Sequence, residues 1–193
     1  PTNTPGWWGG AHPFSLLDLS VVHNGEISSY DANRRFIEMF GYKCTLLTDT
    51  EVIAYALDFL VRKKRLTYSE AAAVIAAPFW STIEHMPRDR SIACDYLRKE
   101  FPSLLMTGPF SILVGFDGGM MALNDRLKLR SMVAAKNGDT TYFASEECAI
   151  RKMDVNAKDL FAPRGGEPVI VTLKNKAGEL PMADLNCFAE WMR

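Results

Sequence analysis

The stretch FSLLDLSVVHNGEI, residues 14–27, decides the fold. Its first ten residues are rich in Leu, Val and Phe, which predicts a mostly buried strand over residues 14–23. Asn24-Gly25 follows directly, and this dipeptide is the strongest short-range signal for a tight hairpin turn. The sequence therefore predicts a buried strand whose end carries polar and flexible residues.

Helical patterns occupy most of the chain between this strand and residue 102. The first stops at Gly41, because glycine favours helix ends. Two others begin with capping-box spacing, Thr48 with Glu51 and Thr67 with Glu70. The predicted helices cover residues 29–40, a segment from about residue 48, a segment from about residue 67, and residues 89–100.

Short strands dominate after residue 102. Asp117-Gly118-Gly119 and Asn137-Gly138-Asp139 lie between pairs of them and are typical of hairpins. The predicted strands are residues 109–116, 120–125, 130–135, 140–144 and 168–174, with a short helix over 146–151. A strand, then helices, then an antiparallel meander predicts an α+β layered domain.

Composition excludes several classes of protein. Of the 193 residues, 48% are hydrophobic and 23% charged, and the net charge is −1. This balance indicates a globular chain without general affinity for nucleic acid or acidic lipid, and its apolar runs are too short to span a membrane. Neither the cysteines nor the histidines have metal-ligand spacing, so we expect reduced thiols in a cytoplasmic protein. The cysteines are Cys44, Cys94, Cys148 and Cys187.

Four stretches stand out in order along the chain. They are TNT (2–4) followed by AHPF (11–14); HNGEI (23–27); TDTE (48–51); and NDRLKLR (124–130) followed by ASE (144–146). In this order and spacing they resemble the class II glutamine amidotransferase domain, and the glutamate-synthase branch is nearest. The resemblance extends to about residue 172.

The resemblance implies a four-layer αββα sandwich, in which two antiparallel sheets lie between helices, as in N-terminal-nucleophile hydrolases. Residues 1–193 are then a single domain that lacks its N-terminal part. The family hydrolyses glutamine to glutamate and ammonia through a cysteine at the mature N-terminus. The α-amino group of that cysteine is the base, which is reasonable since such groups have a pKa of about 7.7–8.0.

The resemblance assigns roles to individual residues. Asn24 and Gly25 match the oxyanion hole, whose alternative is a plain hairpin turn. Asp49 matches the carboxylate that pairs with the glutamine α-ammonium, although an acidic residue also stabilises a helix start. Thr2 matches a residue that binds the α-carboxylate. His12 matches a histidine beside the pocket, and its alternative is a hydrogen bond within its own loop.

Two further sets of residues are given structural interpretations. His23 is expected to pack and hydrogen-bond at the strand end. Asp125, Arg126 and Arg130 are expected to form structural ion pairs, although the family keeps a similar pattern in this region. Neither set is expected to contact glutamine.

The expected nucleophile is not in the sequence. None of the four cysteines is N-terminal, and Pro1 has no side-chain nucleophile. Three hypotheses follow. The chain is part of a glutaminase that needs a missing N-terminal segment, or an inactive domain that binds an amino acid or partner subunit, or a hydrolase-like domain for another substrate. The first is preferred, with glutamine as substrate and a synthase subunit as the ammonia acceptor.

The sequence carries no flavin, nucleotide or iron–sulfur motif. Cofactors are therefore expected in the partner synthase, as flavin and iron–sulfur, rather than in this chain. The acceptor of the ammonia is expected to be 2-oxoglutarate, with the synthesis of N-methylglutamate as a close second.

Overall fold

The computed structural model describes residues 11–173, which form six α-helices and eight strands. The strands are β1 Phe14–Leu16, β2 Leu19–Gly25, β3 Phe110–Phe116, β4 Gly119–Asn124, β5 Val133–Asn137, β6 Thr140–Ala144, β7 Lys158–Phe161 and β8 Val169–Thr172. The helices are α1 Tyr30–Glu38, α2 Asp49–Leu57, α3 Tyr68–Ile75, α4 Trp80–Glu84, α5 Arg88–Glu100 and α6 Glu147–Met153. A π-helical segment, Asp58–Lys63, continues α2, and a 3₁₀ turn, Pro102–Leu104, precedes β3.

The strands form two antiparallel sheets. The larger has the order β1-β2-β3-β4-β8, and the smaller has the order β6-β5-β7. In the larger sheet β2 lies between β1 and β3, and its last residues, Asn24 and Gly25, pair with Ser111 and Phe110. Because the pairing of β1 with β2 ends at Val21, the polar end of β2 is held within the sheet by β3.

Side chains alternate between the two faces of β2 because a strand has a repeat of two residues. Leu19 and Val21 point to one face and are buried, whereas Val22 is 41% exposed on the other. The buried face packs with the helices in one large core, where each fully buried Leu, Ile or Phe contributes about 1.5–3 kcal/mol. Other members of this core are Ile53, Leu57, Leu60, Ile75, Ile112, Val114, Met121 and Leu123.

The smaller sheet meets the larger one near the end of β2, on the face opposite the helices. Its helix, α6, packs through Ile150 on Ala135, while Ala134 is fully buried on the other side of β5. The Asn24 amide of the larger sheet donates to Ser145 Oγ, just beyond β6, at 3.3 Å. The order is therefore helices, sheet, sheet, helix, and the predictions of an α+β class and an αββα sandwich are confirmed.

The decisive stretch differs in detail from its prediction. Residues 14–23 are a hairpin rather than one strand, because the chain turns at Leu17, whose φ is 55°. Asn24-Gly25 is strand rather than turn, so the hairpin alternative for this dipeptide is wrong.

The two proposed capping boxes have different outcomes. At α3, Glu70 N–H donates to Thr67 Oγ1 and Thr67 N–H donates to Glu70, so this capping box is confirmed. At α2, the Thr48 side chain makes no cap, and the buried Glu51 instead accepts from the backbone N–H groups of residues 45 and 46, at 3.1 and 2.9 Å. The prediction of a capping box at Thr48 is wrong, since burial directs Glu51 to the preceding loop.

Gly25 has a specific steric reason to be glycine. Its φ is +149°, a conformation that side chains with a Cβ rarely adopt. An added Cβ would also collide with the carbonyl oxygen of Pro109 and lie 2.8 Å from Phe110 Cα. The backbones of β2 and β3 therefore approach closely only because residue 25 has no side chain.

We expect Gly25→Ala to lower the free energy of unfolding by at least about 2 kcal/mol, through backbone strain and the collision with Pro109. Gly41→Ala is the matched control. Gly41 also has a positive φ, +86°, but nothing lies within 4 Å of its added Cβ, so the expected loss is about 1 kcal/mol. Urea unfolding of both variants measures the difference, and equal losses would contradict this account.

Candidate functional site

A cleft of about 820 Å³ lies where the end of β2 meets the beginning of α2. This volume falls within the range of about 300–1,000 Å³ that is usual for small-molecule sites. His12, Asn24, Gly25 and Asp49 all contribute to its lining. The structure thus brings together four predicted site residues, although Asn24 and Asp49 are 25 positions apart in the sequence. Thr2 lies outside the described residues.

Asp49 is the first residue of α2, and its carboxylate accepts hydrogen bonds from three residues. The Thr50 hydroxyl donates to Oδ1 at 3.4 Å, and the other two donors come from β2 and the segment that follows it. His23 Nδ1 donates to Oδ1 at 3.1 Å, and the Ile27 backbone N–H donates to Oδ2 at 3.2 Å. Burial alone would raise the pKa of Asp49, but the hydrogen bonds from His23 and Ile27 outweigh it and lower the pKa below its usual value. Asp49 is therefore an anion at neutral pH, with lone pairs left for a cationic ligand.

Because the pKa of Asp49 is lower in the folded than in the unfolded chain, its ionised form stabilises the fold. This contribution is fully present above pH 4 and is lost as the pH falls through the folded value. We expect Asp49→Asn to cost about 1–2 kcal/mol of unfolding free energy at pH 7. The difference in unfolding free energy between wild type and Asp49→Asn should become smaller as the pH falls towards 3.

Urea unfolding at several pH values between 7 and 3 measures this difference. The control is Asp31→Asn, on the rim of the same cleft, since no hydrogen bond to the Asp31 carboxylate is recorded in the described structure. If the difference in unfolding free energy between wild type and Asp49→Asn stays constant or grows on acidification, the proposed link between Asp49 ionisation and stability is contradicted.

The Asn24 side chain points away from the helices. Its amide nitrogen donates to Ser145 Oγ at 3.3 Å, and the side chain is exposed. Ser145 belongs to one of the stretches that define the resemblance, but no role was predicted for it. An exposed amide donor beside Gly25, at the rim of a cleft, is suitably placed to bind developing negative charge.

His12 bridges the N-terminal loop and α2. Its Nε2 atom is hydrogen-bonded to Thr50 Oγ1 at 2.8 Å, so the alternative of a bond within its own loop is not what the structure shows. Burial, followed by the nearby charge of His23, lowers the pKa of His12. The ring is therefore neutral at pH 7, and it attaches residue 12 to the same helix start that carries Asp49.

The expected ion pairs of Asp125 are wrong. The buried Asp125 carboxylate accepts hydrogen bonds from four backbone N–H groups, at distances of 3.0–3.3 Å. Those groups belong to Phe110, Leu127, Leu129 and Arg130. The Arg126 guanidinium instead lies over the Phe79 ring, 4.7 Å from its centroid. Asp125 is satisfied by backbone donors, which fold the 125–130 loop around it.

Arg130 was interpreted as structural, but it lines the cleft. Its backbone N–H is held by Asp125 at 3.0 Å, and its carbonyl accepts from Asn124 Nδ2 at 3.4 Å. Its side chain has no recorded partner among residues 11–173. Arg130 belongs to the Asp125-Arg126…Arg130 pattern of the sequence, but the turn that directs it to the cleft depends on tertiary structure.

The cysteines within residues 11–173 do not line the cleft. Cys44 is buried, and desolvation, followed by the negative charge of Glu51, raises its pKa to about 11. Cys94 is buried in α5 and Cys148 is exposed on α6, as expected of helix-face residues. None of these thiols is an activated nucleophile in the described structure, because each has a raised pKa.

Residues 11–173 contain neither a metal-binding cluster nor a membrane-spanning helix. No three His, Cys, Asp or Glu side chains are grouped so that they could hold a metal ion. No helix in this part of the chain has the length and apolar character needed to cross a membrane.

Comparison of the sequence with known proteins gives consistent relatives. An uncharacterised protein of Archaeoglobus fulgidus is 49% identical over 180 residues, which are 93% of this chain and 48% of that protein. A protein of Methanothermobacter thermautotrophicus, provisionally assigned as a glutamine amidotransferase, is 31% identical over 79% of this chain and 42% of its own length. The amidophosphoribosyltransferase of Methanocaldococcus jannaschii is 26% identical over 76% of this chain and 25% of its own. The chain thus spans about half or less of these relatives, and no family model matches it.

Solved structures of related enzymes have a similar fold. The glutamine phosphoribosylpyrophosphate amidotransferase of B. subtilis superposes with a TM-score of 0.57 at 21% identity, over 87% of this chain and 31% of that one. A structure described as the allosteric regulatory enzyme of purine biosynthesis gives a TM-score of 0.58 at 22% identity, over 88% and 31% of the two chains. At these identities the likeness establishes the fold alone.

Proposed function

We propose that this chain, which is similar to glutamine amidotransferases in sequence and fold, forms the glutamine site of a glutaminase. The reaction is the hydrolysis of glutamine to glutamate and ammonia, with the ammonia passed to a glutamate-synthase-like enzyme. The observation that carries the proposal is the convergence of Asn24, Gly25 and Asp49 on one cleft.

Asp49 is proposed to bind the α-ammonium group of glutamine. The carboxylate is anionic and lines the cleft, where its charge can attract a cationic group. A charge-assisted contact of this kind distinguishes an amino acid from a simple amide.

Arg130 is proposed to attract the α-carboxylate, together with Thr2 from outside the described residues. Among the described residues that line the cleft, Arg130 is the one arginine, and none of them is a lysine. The lining carries the acidic residues Glu26, Asp31 and Asp49 and the basic residue Arg130, so it offers an opposite charge to each of the two charged groups of a free α-amino acid. His12 is proposed to shape the pocket through its bond to Thr50.

Asn24 and Gly25 are proposed to form the oxyanion hole. When a nucleophile attacks the γ-amide carbon, the carbonyl oxygen becomes negative, and the Asn24 amide and Gly25 N–H would donate to it. The nucleophile implied by the resemblance is an N-terminal cysteine, which we propose is supplied by a segment that joins this cleft. Its thiol would lose its proton to its own α-amino group and attack the amide carbon, and the amide nitrogen would leave as ammonia after accepting that proton. Water would then attack the resulting thioester, which releases glutamate and restores the thiol.

The acceptor of the ammonia lies outside the cleft. The relatives include amidophosphoribosyltransferases and glutamine–fructose-6-phosphate aminotransferases, whose names specify different acceptors. We propose 2-oxoglutarate as the acceptor here, in a cytoplasmic complex with a synthase that carries flavin and iron–sulfur. This part of the proposal rests on the TNT…HPF…HNGEI run in the sequence.

The second candidate function is an inactive amidotransferase-like domain that binds an amino acid or a partner subunit. It is favoured by one observation, since no cysteine of residues 11–173 lines the cleft. The two functions differ in turnover but share the binding cleft.

The test is purification of the natural protein from its source, with identification of bound subunits and an assay of glutamate and ammonia release. Glutamine hydrolysis with a flavin-containing partner supports the proposal. Glutamine binding without hydrolysis, in the presence of the partner, favours the inactive domain. A protein that binds neither glutamine, nor another amino acid, nor a partner subunit contradicts both.

Asn24→Ala should lower kcat by about 10²–10³-fold with little change in KM, because it removes a donor aimed at the transition state. Asp49→Ala should mainly raise KM, by about 10–100-fold, because it removes a contact to the bound substrate. Steady-state glutaminase kinetics separate the two effects. The control is Asn137→Ala, which lies at a hairpin end outside the cleft lining. An unchanged kcat for Asn24→Ala would contradict its role in the oxyanion hole.

Arg130→Gln should raise KM for glutamine by about tenfold, because a cation that faces the substrate carboxylate is lost. The matched control is Arg126→Gln, four residues earlier in the same loop, where the guanidinium lies over Phe79. If both variants raise KM equally, the effect belongs to the loop and not to a contact between Arg130 and glutamine.

A further inference from the structure

We propose that His23 is a positioning residue, which holds the Asp49 carboxylate in the orientation that binds the substrate α-ammonium. The inference rests on the proposed function and gives a role in substrate binding to a residue that was expected to pack and hydrogen-bond at the strand end. It is carried by a buried hydrogen bond between two elements of the cleft.

The geometry of the pair is specific. His23 lies in β2 and Asp49 begins α2, and their side chains meet at 3.1 Å between Nδ1 and Oδ1. The His23 side chain is 2% exposed and the Asp49 side chain 16% exposed. Solvent therefore screens this bond weakly, and the cleft is the open side of the carboxylate.

The charge of Asp49 determines which way the bond runs. His23 Nε2 is buried and has no hydrogen-bond partner in the described structure, so the ring makes its hydrogen bond through Nδ1. An ionised carboxylate has no proton to donate, so the proton of this bond is on Nδ1. His23 is thus the donor and Asp49 the acceptor.

Both oxygens of the Asp49 carboxylate accept hydrogen bonds. The His23 ring holds Oδ1, and the Ile27 backbone N–H holds Oδ2 at 3.2 Å. Two fixed donors on different elements prevent rotation of the carboxylate, so its remaining lone pairs keep one direction. A ligand that meets a carboxylate already fixed in place loses less entropy on binding.

A purely structural role for His23 makes a different prediction. If the bond only attaches β2 to α2, its loss should affect every ligand of the cleft equally. If it orients Asp49, its loss should affect only ligands that carry an α-ammonium. 4-Carbamoylbutanoate distinguishes the two, since it has the amide and carboxylate of glutamine but no ammonium.

The experiment measures KM and kcat for glutamine, and the inhibition constant of 4-carbamoylbutanoate, with the complete natural protein. His23→Phe keeps a ring but removes the donor, His23→Asn restores an N–H near the position of Nδ1, and the exposed His85→Ala, outside the cleft lining, is the control. We expect His23→Phe to raise KM about tenfold with kcat within about twofold of wild type. His23→Asn should recover most of this loss, and the inhibition constant should stay unchanged.

Equal weakening of glutamine and 4-carbamoylbutanoate in His23→Phe would overturn the inference, as would an unchanged KM. If the wild type does not act on glutamine at all, the proposed function fails and the inference fails with it. Should His23→Phe not fold, ¹⁵N NMR of the wild type decides. The Nδ1 resonance of His23 should be that of a protonated nitrogen and shift with glutamine but not with 4-carbamoylbutanoate; the same response to both ligands overturns the inference.

Discussion

The pairing of β2 with β3 as far as Gly25 is the constraint on which the rest of the site depends. It places residues 23–25 at the end of a central strand, with helices on one face and the smaller sheet on the other. Because side chains alternate along a strand, His23 turns to the helices and Asn24 to the smaller sheet. The cleft therefore draws Asp49 from one layer and Asn24 from another.

Carboxylates that bind backbone N–H groups hold the irregular segments around the cleft. Glu51 accepts from residues 45 and 46, and Asp125 fixes the turn that ends at Arg130. Both are at most 3% exposed, and such charged hydrogen bonds are worth more than neutral ones. Asp49 uses the same device with residue 27, but it faces the cleft and keeps acceptor capacity. Glu51 and Asp125 therefore have structural roles, whereas Asp49 is available to a ligand.

The sequence predicted the layers well, because hydrophobic periodicity and turn signals are local. The helix over residues 89–100 and the hairpin at Asn137-Gly138 are where the pattern placed them. The turn at Leu17-Asp18 was missed, because neither residue is a strong turn former. The ion pairs expected of Asp125 were wrong for a different reason, since burial and backbone donors are set by tertiary packing. For the same reason, no local pattern revealed that Arg130 lines the cleft or that His23 meets Asp49.

Under the proposed function, a bound glutamine would lie across two layers of the sandwich. Its α-ammonium would face Asp49, which begins a helix, and its γ-carbonyl would face Asn24, which contacts Ser145 near the smaller sheet. Binding and chemistry would then depend on different neighbours of one strand, so a substitution on the helix side should change KM and one on the other side kcat. The same arrangement explains how one cleft can serve relatives with different acceptors. The residues that recognise glutamine are contained in the sandwich, and the acceptor needs only to receive the ammonia that leaves it.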